Sequence, residues 1–423
     1  MGGRLDAEQI LRSGSDAGSS GGYLRGKRLT DYFEGSERPA FVLSNETKGI
    51  KHERGGETAV VTPGEDYQAV AAVTNERVLL VVGGNDERGG RNREVSLPYT
   101  EIRSIETKTG VFKSRLTITA RTSDTYHFVL SGREALDEVE AYVERAIAYW
   151  VAVDRRLEKA RDHLSTIEST IEAGDPRAAA DAYRRTQELL DQASEVAEAF
   201  ESGTRAMERR IDQLETRLTL TEIRGHRLRG RQLAETATDA RGEDDYEAAL
   251  DAYTTAKSQY ERAVDLAAAS QNRDAEKLRS ELTDVSKAVE EIRTEPLLRA
   301  MNACAEAIQA DEPAPERWRT AIDVCHDVHG ILHRDDRFDG DPAALRFQIE
   351  WLVQNCLNAH ERAAEQAVRA GEEYREQGDD EAGRNAFERA REHLRRARDL
   401  AREFRSGVPA RYETALETVY QAA

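Results

Sequence analysis

Seven cysteine and histidine residues lie between positions 304 and 360 of the 423-residue chain. They are Cys304, Cys325, Cys356, His326, His329, His333 and His360. Cys325 and His329 are four residues apart, as are Cys356 and His360, so each pair lies on one face of a helix. Thiolate and imidazole are ligands that zinc prefers. One interpretation is therefore a metal-binding helical domain around residues 304–360.

The same cysteines also fit a helical core. Cys356 continues the apolar stripe Leu345, Ile349, Leu352, Ala359 and Ala363, and Cys304 continues the stripe Leu297, Met301 and Ile308. A buried free cysteine behaves as a small core side chain. We therefore favour core cysteines, and we expect neither a bound metal nor another cofactor.

A second set of residues has the chemistry of phosphate recognition. It comprises Arg88, Arg91, Arg93, Lys108, Phe112, Lys113 and Arg115, in two adjacent predicted hairpins. Clustered cations beside an exposed aromatic ring are able to engage a phosphate headgroup. Asp86 and Glu87 lie in the same loop, which favours an ordinary surface of mixed charge. Both interpretations of this phosphate or lipid rim stay open.

Sequence patterns of common enzymes are missing. The segment GGNDERGG at 83–90 lacks the Gly-Lys-Ser/Thr of a phosphate-binding loop, and no His-Glu-x-x-His occurs. In the C-terminal part, the acidic residues lie on the polar faces of predicted helices, as solvated charges do. We expect a protein that is not an enzyme.

The composition favours extended helices over one large core, because 33% of the residues are charged and only 6% are aromatic. No apolar run is long enough for a transmembrane helix, and the first residues lack the apolar core of a signal peptide. We expect a cytoplasmic protein, with peripheral membrane contact as an option. The acidic, Arg-rich and Ala-rich composition is typical of a halophilic or archaeal source, or of another GC-rich microbe.

The net charge of −19 is unevenly distributed. Residues 1–133 contain 19 Lys and Arg against 18 Asp and Glu, whereas residues 134–423 contain 42 against 62. The C-terminal part therefore repels nucleic acid and anionic lipid. We expect no nucleic-acid partner, and only the N-terminal part is free to approach phosphate groups.

The N-terminal third has the pattern of a β domain. Segments such as YQAVAAVTNERVLLVVGG, REVSLPYTEIRSIETK and TYHFVLSG predict five to seven strands, with breakers such as ERGGE between them. Ser131 and Glu134 are spaced as a capping box for a following helix. The apolar face of that helix carries Leu136, Val139, Val143, Ala146 and Trp150. We expect the helix to continue to about Glu172, and so to couple the β domain rigidly to the next helices.

Two phrases in this region, AVTNERVLLVVGG and SLPYTEI, resemble the prokaryotic PH-like domains of the YokE-like and GRAM-like group. The matching positions are Thr74, Arg77, Leu97, Pro98, Tyr99 and Ile102. The resemblance covers about residues 30–150. It implies a small, partly open β-barrel with a C-terminal capping helix, no catalytic machinery, and a protein or lipid as ligand.

A helical repeat follows Trp150. Aromatic residues Tyr183, Tyr253, Trp318 and Phe387 recur at intervals of 70, 65 and 69 residues, each followed by small and apolar residues in step. Each copy is preceded by a turn, at 173, 241, 310 and 377. The pattern resembles tetratricopeptide-like and MIT-like helical hairpins. Prolines 176, 296, 313, 315, 342 and 409 read as helix starts or loops.

These observations predict an α+β multidomain protein with a helical arm of antiparallel hairpins. The predicted segments are a flexible stretch at 1–29, a PH-like domain with its capping helix at 30–152, and hairpin pairs at 153–295 and 296–423. The favoured function is an adaptor, in which the PH-like domain docks a protein or membrane component and the arm binds a protein. The alternatives are a membrane-recruited lipid sensor and the metal-binding domain. Self-association is also open, since apolar helix stripes can pair between chains.

Overall fold

The computed structural model describes residues 23–85, 90–131, 136–200, 205–309 and 314–422. In these ranges nine β-strands come first and nine α-helices follow. The predicted α+β architecture with a helical arm is confirmed. The chain divides into two compact units between Gly225 and His226, and each unit is described by itself.

The β domain contains two antiparallel sheets. The first holds β1 (Pro39–Asn45), β4 (Ala69–Thr74), β5 (Arg77–Asn85) and β6 (Arg91–Pro98), in the order β1-β4-β5-β6. The second holds β2 (Ile50–Arg54), β3 (Glu57–Val61), β7 (Ile102–Thr109), β8 (Lys113–Ala120) and β9 (Thr125–Ser131), in the order β3-β2-β9-β8-β7.

The prediction of a barrel is wrong in one respect, because the two sheets do not close on each other. Strands β6 and β7 are edge strands, joined by a 3-10 turn at Tyr99–Glu101 rather than by a ladder of hydrogen bonds. The first helix, α1 (Asp137–Glu172), packs against this turn and against β7. A covering helix can protect a sheet edge that would otherwise pair with another chain.

The prediction of five to seven strands missed the β2–β3 hairpin. Only Ile50 in β2 and Val61 in β3 are buried, so neither strand shows the apolar alternation that identifies a strand in a sequence. The predicted breaker at this point is the hairpin turn itself. Gly55 and Gly56 adopt φ angles of 56° and 89°, a region that favours glycine.

The chain that precedes β1 covers the outer face of the first sheet. Leu24 and Leu29 are buried against Val70, Leu79 and Val81. All residues of β4 are therefore buried, which explains its continuous apolar sequence. Of the segment predicted to be flexible, residues 23–29 belong to this covering layer, and residues 1–22 lie outside the described part.

The predicted capping helix is present as α1. Leu136, Val139, Val143, Ala146 and Trp150 are all buried, as the apolar pattern predicted. The helix begins at Asp137, and the capping-box residue Glu134 lies outside the described residues. It then runs unbroken to Glu172, so its apolar face extends from the β domain into the first helical hairpin.

The arm is built from consecutive helical hairpins, as predicted. Helix α1 pairs with α2 (Ala180–Glu198), α3 (Arg205–Gly242) is followed by α4 (Tyr246–Ala269), α5 (Ala275–Ile308) pairs with α6 (Pro315–Arg334), α7 (Pro342–Glu376) pairs with α8 (Asp380–Glu403), and α9 (Pro409–Ala422) packs on α8. The predicted turns at 173, 241 and 377 each lie between the two helices of one hairpin, and the one predicted at 310 lies outside the described residues. Among the described residues, none of the helices combines the length and apolar character needed to cross a membrane.

Three of the six prolines begin helices, and one lies inside a helix. Pro315, Pro342 and Pro409 open α6, α7 and α9, and Pro313 lies outside the described residues. Pro296 was predicted at a helix start or loop, and this was wrong, because α5 continues through it. Its ring is buried on the same face as Ile292, and core packing there offsets the backbone hydrogen bond that proline cannot make. The domain boundary predicted between 295 and 296 thus falls inside α5.

Candidate interaction surfaces

The turn between β4 and β5 holds a buried polar network. The side chain of Glu37 is completely buried, and its two oxygens accept hydrogen bonds from Nε and Nη2 of Arg77, both at 3.0 Å. The hydroxyl of Thr74 donates to the same carboxylate at 2.8 Å. Charge-assisted bonds of this kind fix geometry closely. Sequence analysis did not identify Glu37, which lies outside the Thr74–Arg77 phrase.

Two aromatic side chains attach other elements to this turn. The hydroxyl of Tyr99 donates to the carbonyl oxygen of Thr74, and Nε1 of Trp150 donates to that of Asn75 at 3.0 Å. Burial raises the pKa of Tyr99 well above its usual value, so the phenol stays protonated as the donor. The positions that carried the family resemblance therefore build the scaffold on which α1 sits.

Two sheets joined by such a turn and covered by one long helix have a counterpart among known families. Residues 34–145 match the bacterial PH domain family. The match covers both sheets and the first turns of α1, so this part of the chain is a PH-like domain. No curated protein matches the chain.

The predicted phosphate rim is distributed over both sheets of the PH-like domain. Arg91 and Arg93 lie on β6, at the edge of the first sheet. Lys108, Lys113 and Arg115 lie on β7 and β8 of the second sheet. Arg88 lies outside the described residues. A binding role for these side chains stays a prediction.

The hairpin that carries Arg91 is engaged with the covering N-terminal segment. The side-chain amide of Asn92 bonds to both the backbone N–H and the carbonyl oxygen of Arg25, each at 3.0 Å. The guanidinium of Arg25 donates to the carbonyl oxygen of Gly90 at 3.1 Å. The backbone on both sides of Arg91 is therefore held by contacts within the domain.

The β7–β8 hairpin ends differently, in an exposed tip that we define as residues 108–115. Val111 and Phe112 are 80% and 82% exposed. The backbone N–H of Gly110 donates to the carbonyl oxygen of Lys113 at 3.0 Å, which closes the turn around these two apolar residues. The sequence identified Phe112 but not its neighbour Val111.

A second apolar surface lies on the arm, and we call it the α5/α7 patch. It comprises Met301 and Ile308 of α5, which are 58% and 56% exposed, and Phe347 and Trp351 of α7, at 71% and 44%. Both helices pack on α6, and Nε2 of Gln348 lies 3.8 Å from Sγ of Cys304, so side chains of α5 and α7 meet at this point. Contiguous exposed apolar side chains mark interaction sites.

The patch corrects one prediction. Met301 and Ile308 were assigned to a buried stripe with Cys304, but both side chains face solvent. The buried side of α5 instead carries Ala300, Cys304 and Ala307, whose small side chains allow α6 to approach. The sequence did contain a signal, because α5 has more apolar residues than one buried stripe needs.

The four aromatic anchors of the repeat have packing roles in the second helix of each hairpin. The hydroxyl of Tyr253 lies 3.0 Å from Oγ1 of Thr238, and the ring of Phe387 is 1% exposed. Tyr183 is half-buried in α2, and burial raises its pKa above the usual value. Trp318 meets Trp351 edge to face, with ring centroids 5.6 Å apart, so the third anchor contacts one member of the α5/α7 patch.

The cysteines make core contacts, whereas His326 and His333 are exposed on α6. All three cysteines are buried, with Sγ of Cys304 and Cys325 at 3.5 Å, and burial raises the pKa of both Cys325 and Cys356 to about 12. His360 instead faces His393 of α8, with their Nδ1 atoms 3.2 Å apart. Within the described residues, no three His, Cys, Asp or Glu side chains are grouped to hold a metal ion. The metal-binding alternative therefore gains no support.

Proposed function

We propose that this protein is a non-enzymatic adaptor, whose PH-like domain docks a protein or membrane component and whose helical arm binds a protein partner. The α5/α7 patch carries the proposal. Its members include two aromatic residues and a methionine, types that are enriched in the centres of protein interfaces. We also propose that the first domain is of the YokE-like or GRAM-like type and that the hairpins of the arm are tetratricopeptide-like.

The titratable groups support a role without catalysis. Burial raises the pKa of the thiol of Cys356, which disfavours the reactive thiolate. Several carboxylates have a lowered pKa because an arginine of another helix donates to them, as Arg217 does to Glu168 and Arg319 to Glu403. These shifts have structural causes, whereas a catalytic base or nucleophile is tuned for reaction in an accessible cleft.

The chemistry of the patch defines the kind of partner. A segment with large apolar anchors fits exposed apolar side chains presented by two helices, as an amphipathic helix laid across them does. The surrounding arm is strongly acidic, so basic residues flanking these anchors would speed association. A second copy of the chain is the competing occupant.

Photo-crosslinking in the native host tests the adaptor role. p-Benzoylphenylalanine replaces Phe347 in one variant and Tyr374, which lies on the same helix and is 38% exposed, in the control. We expect a protein adduct from position 347 that is absent from position 374 and is lost when Trp351→Asp is added. Equal adducts from both positions, or none from 347, would contradict the proposal. An adduct of twice the chain mass would identify self-association instead.

A further inference from the structure

We propose that the β7–β8 hairpin tip docks on an anionic lipid bilayer, with Val111 and Phe112 inserted at the acyl-chain boundary. Lys108, Lys113 and Arg115 then lie at the level of the headgroup phosphates. The inference rests on the docking role proposed for the PH-like domain, and it names the partner of that domain.

The two apolar residues occupy positions where the fold itself gains nothing from them. Residues 110–113 form a tight turn with Val111 and Phe112 at its two corners. Neither corner has a positive φ, so the turn accepts most residue types there and does not itself require apolar ones. Gly110 has the close approach that such a turn requires, since a Cβ there would lie 2.8 Å from the carbonyl oxygen of Lys113. Val111 and Phe112 are nevertheless large, apolar and exposed, which is unfavourable in water and favourable at an apolar boundary.

The three cations lie on one face around these residues. Lys113 and Arg115 alternate with the buried Ser114 and Leu116 along β8, so they point away from the core, and Arg115 faces Lys108 directly across the ladder. None of the three cations has an ion-pair partner among the described residues. Unpaired cations beside apolar side chains suit a surface that offers phosphate above hydrocarbon.

Two acidic side chains, those of Glu140 and Glu106, lie close to the tip but are not part of it. Glu140 of α1 accepts hydrogen bonds from the N–H and hydroxyl of Thr107, which turns this carboxylate toward the domain. Glu106 lies on β7 two residues before Lys108, on the same outer face of the strand but further from the turn. The end of the hairpin itself, residues 108–115, contains no acidic residue.

The shape of the tip favours a bilayer over a protein. Two side chains at a convex turn cover far less than the surface of about 800 Å² that each partner buries in a stable protein interface. Shallow insertion of a few apolar groups, combined with attraction of cations to anionic headgroups, is sufficient for reversible membrane binding.

The experiment uses the full chain and vesicles of phosphatidylcholine with and without about 30% phosphatidylserine, in about 0.1 M salt. We expect sedimentation with the anionic vesicles only. Phe112→Ala should weaken the partition constant about tenfold. Val408→Ala, which removes an exposed apolar side chain from the arm outside both proposed binding surfaces, should leave it unchanged. Arg115→Gln should weaken it roughly fivefold, whereas Arg121→Gln, at the opposite end of β8, should not.

Insertion has its own readout. The fluorescence of a Phe112→Trp variant should be quenched by brominated acyl chains, while that of the native Trp150, Trp318 and Trp351 should not be.

Equal binding to neutral vesicles, an unchanged partition constant for Phe112→Ala, or displacement by millimolar inorganic phosphate would overturn the inference. If vesicle binding fails while the crosslink from position 347 forms, the bilayer is excluded and the adaptor role stands. If vesicle binding occurs but no crosslink forms from position 347, the adaptor role is excluded and the docking on a bilayer stands.

Discussion

Arg77 holds Glu37 by two hydrogen bonds of 3.0 Å, in a site where the Glu37 side chain has no contact with solvent. The two residues lie 40 positions apart, so the pair joins the segment before β1 to the start of β5. Thr74 belongs to the same network, and its carbonyl oxygen accepts a hydrogen bond from the hydroxyl of Tyr99. The position of the 3-10 turn that begins at Tyr99 therefore depends on the Glu37–Arg77 pair.

Removal of one member of this pair should therefore destabilise the PH-like domain. Glu37→Ala leaves a buried guanidinium without its partner, and we expect a loss of about 3–5 kcal/mol in the free energy of unfolding. Urea denaturation followed by the fluorescence of Trp150 measures this loss in a Trp318→Phe/Trp351→Phe background. Glu46→Ala, at an exposed position between β1 and β2, should change the free energy by less than about 0.5 kcal/mol. Similar losses in the two variants would refute the structural role of the pair.

The contact between Gly371 of α7 and Phe387 of α8 gives a second prediction. A Cβ at position 371 would lie 3.1 Å from the ring of Phe387, so a larger side chain forces the two helices apart. We expect Gly371→Leu to destabilise the arm by about 2 kcal/mol.

The matched control is Gly330→Leu, because at position 330 a Cβ meets only the end of the flexible Arg334 side chain. There the better helix propensity of leucine should stabilise the arm by up to about 1 kcal/mol. Thermal unfolding followed by circular dichroism compares the two variants. Stabilisation by both substitutions would show that the contact between the two helices is not tight.

The histidine pair makes the stability of the arm depend on pH. Burial, then the neighbouring imidazole of His393 and the guanidinium of Arg396, lower the pKa of His360 to about 4. The unfolded chain, with an ordinary histidine pKa near 6.5, takes up its proton first as the pH falls. Stability should thus decrease between about pH 6.5 and 4, by roughly 3 kcal/mol, and this contribution should be constant below that range.

Urea denaturation at a series of pH values measures this slope, and His360→Leu corrects for the carboxylates that titrate in the same range. Glu392 and Glu316 lie near the pair and favour the protonated forms, whereas Arg396 and Arg389 oppose them. The difference between wild type and variant should contain the histidine contribution. A difference that does not change between pH 7 and 4 would contradict the assignment.

The buried thiols should be unreactive in the folded protein. With the pKa of Cys325 and Cys356 near 12, almost no thiolate exists at pH 8, and neither side chain is accessible. Ellman's reagent should therefore modify the cysteines only after denaturation. Ser258→Cys, at an exposed site on α4, should react within seconds to minutes as a positive control. Fast modification of the unsubstituted chain would show that the core around α5 and α6 opens readily.

Much of the architecture could be predicted from local patterns. The spacing of Tyr253 and its alanines predicted the second helix of a hairpin, because apolar residues at helical intervals must lie on one face. The apolar face of α1 was predicted in the same way, down to the burial of Val143 and Trp150. Turn residues such as Gly174 and Gly378, both at positive φ, predicted where the helices end.

The interaction surfaces were less predictable. Phe112 and its neighbouring cations were identified as candidates, since charge and an aromatic ring in a turn are visible in the sequence. The α5/α7 patch was missed because Met301 and Cys304 have the same local pattern, although one is exposed and the other buried. Only the position of α6 distinguishes them.

The sequence by itself determined which segments form strands and helices wherever one face is apolar, and it determined the order of β domain and hairpins. The tertiary structure decided which apolar residues are covered. Leu24 and Leu29 pack against strands 40 or more positions away, and Glu37 pairs with Arg77, also 40 positions away. Pro296 is accommodated within a helix because its ring is buried in the core. The physical reason is that periodicity identifies a face, whereas burial depends on neighbours that are distant in the chain and meet only when the whole domain packs.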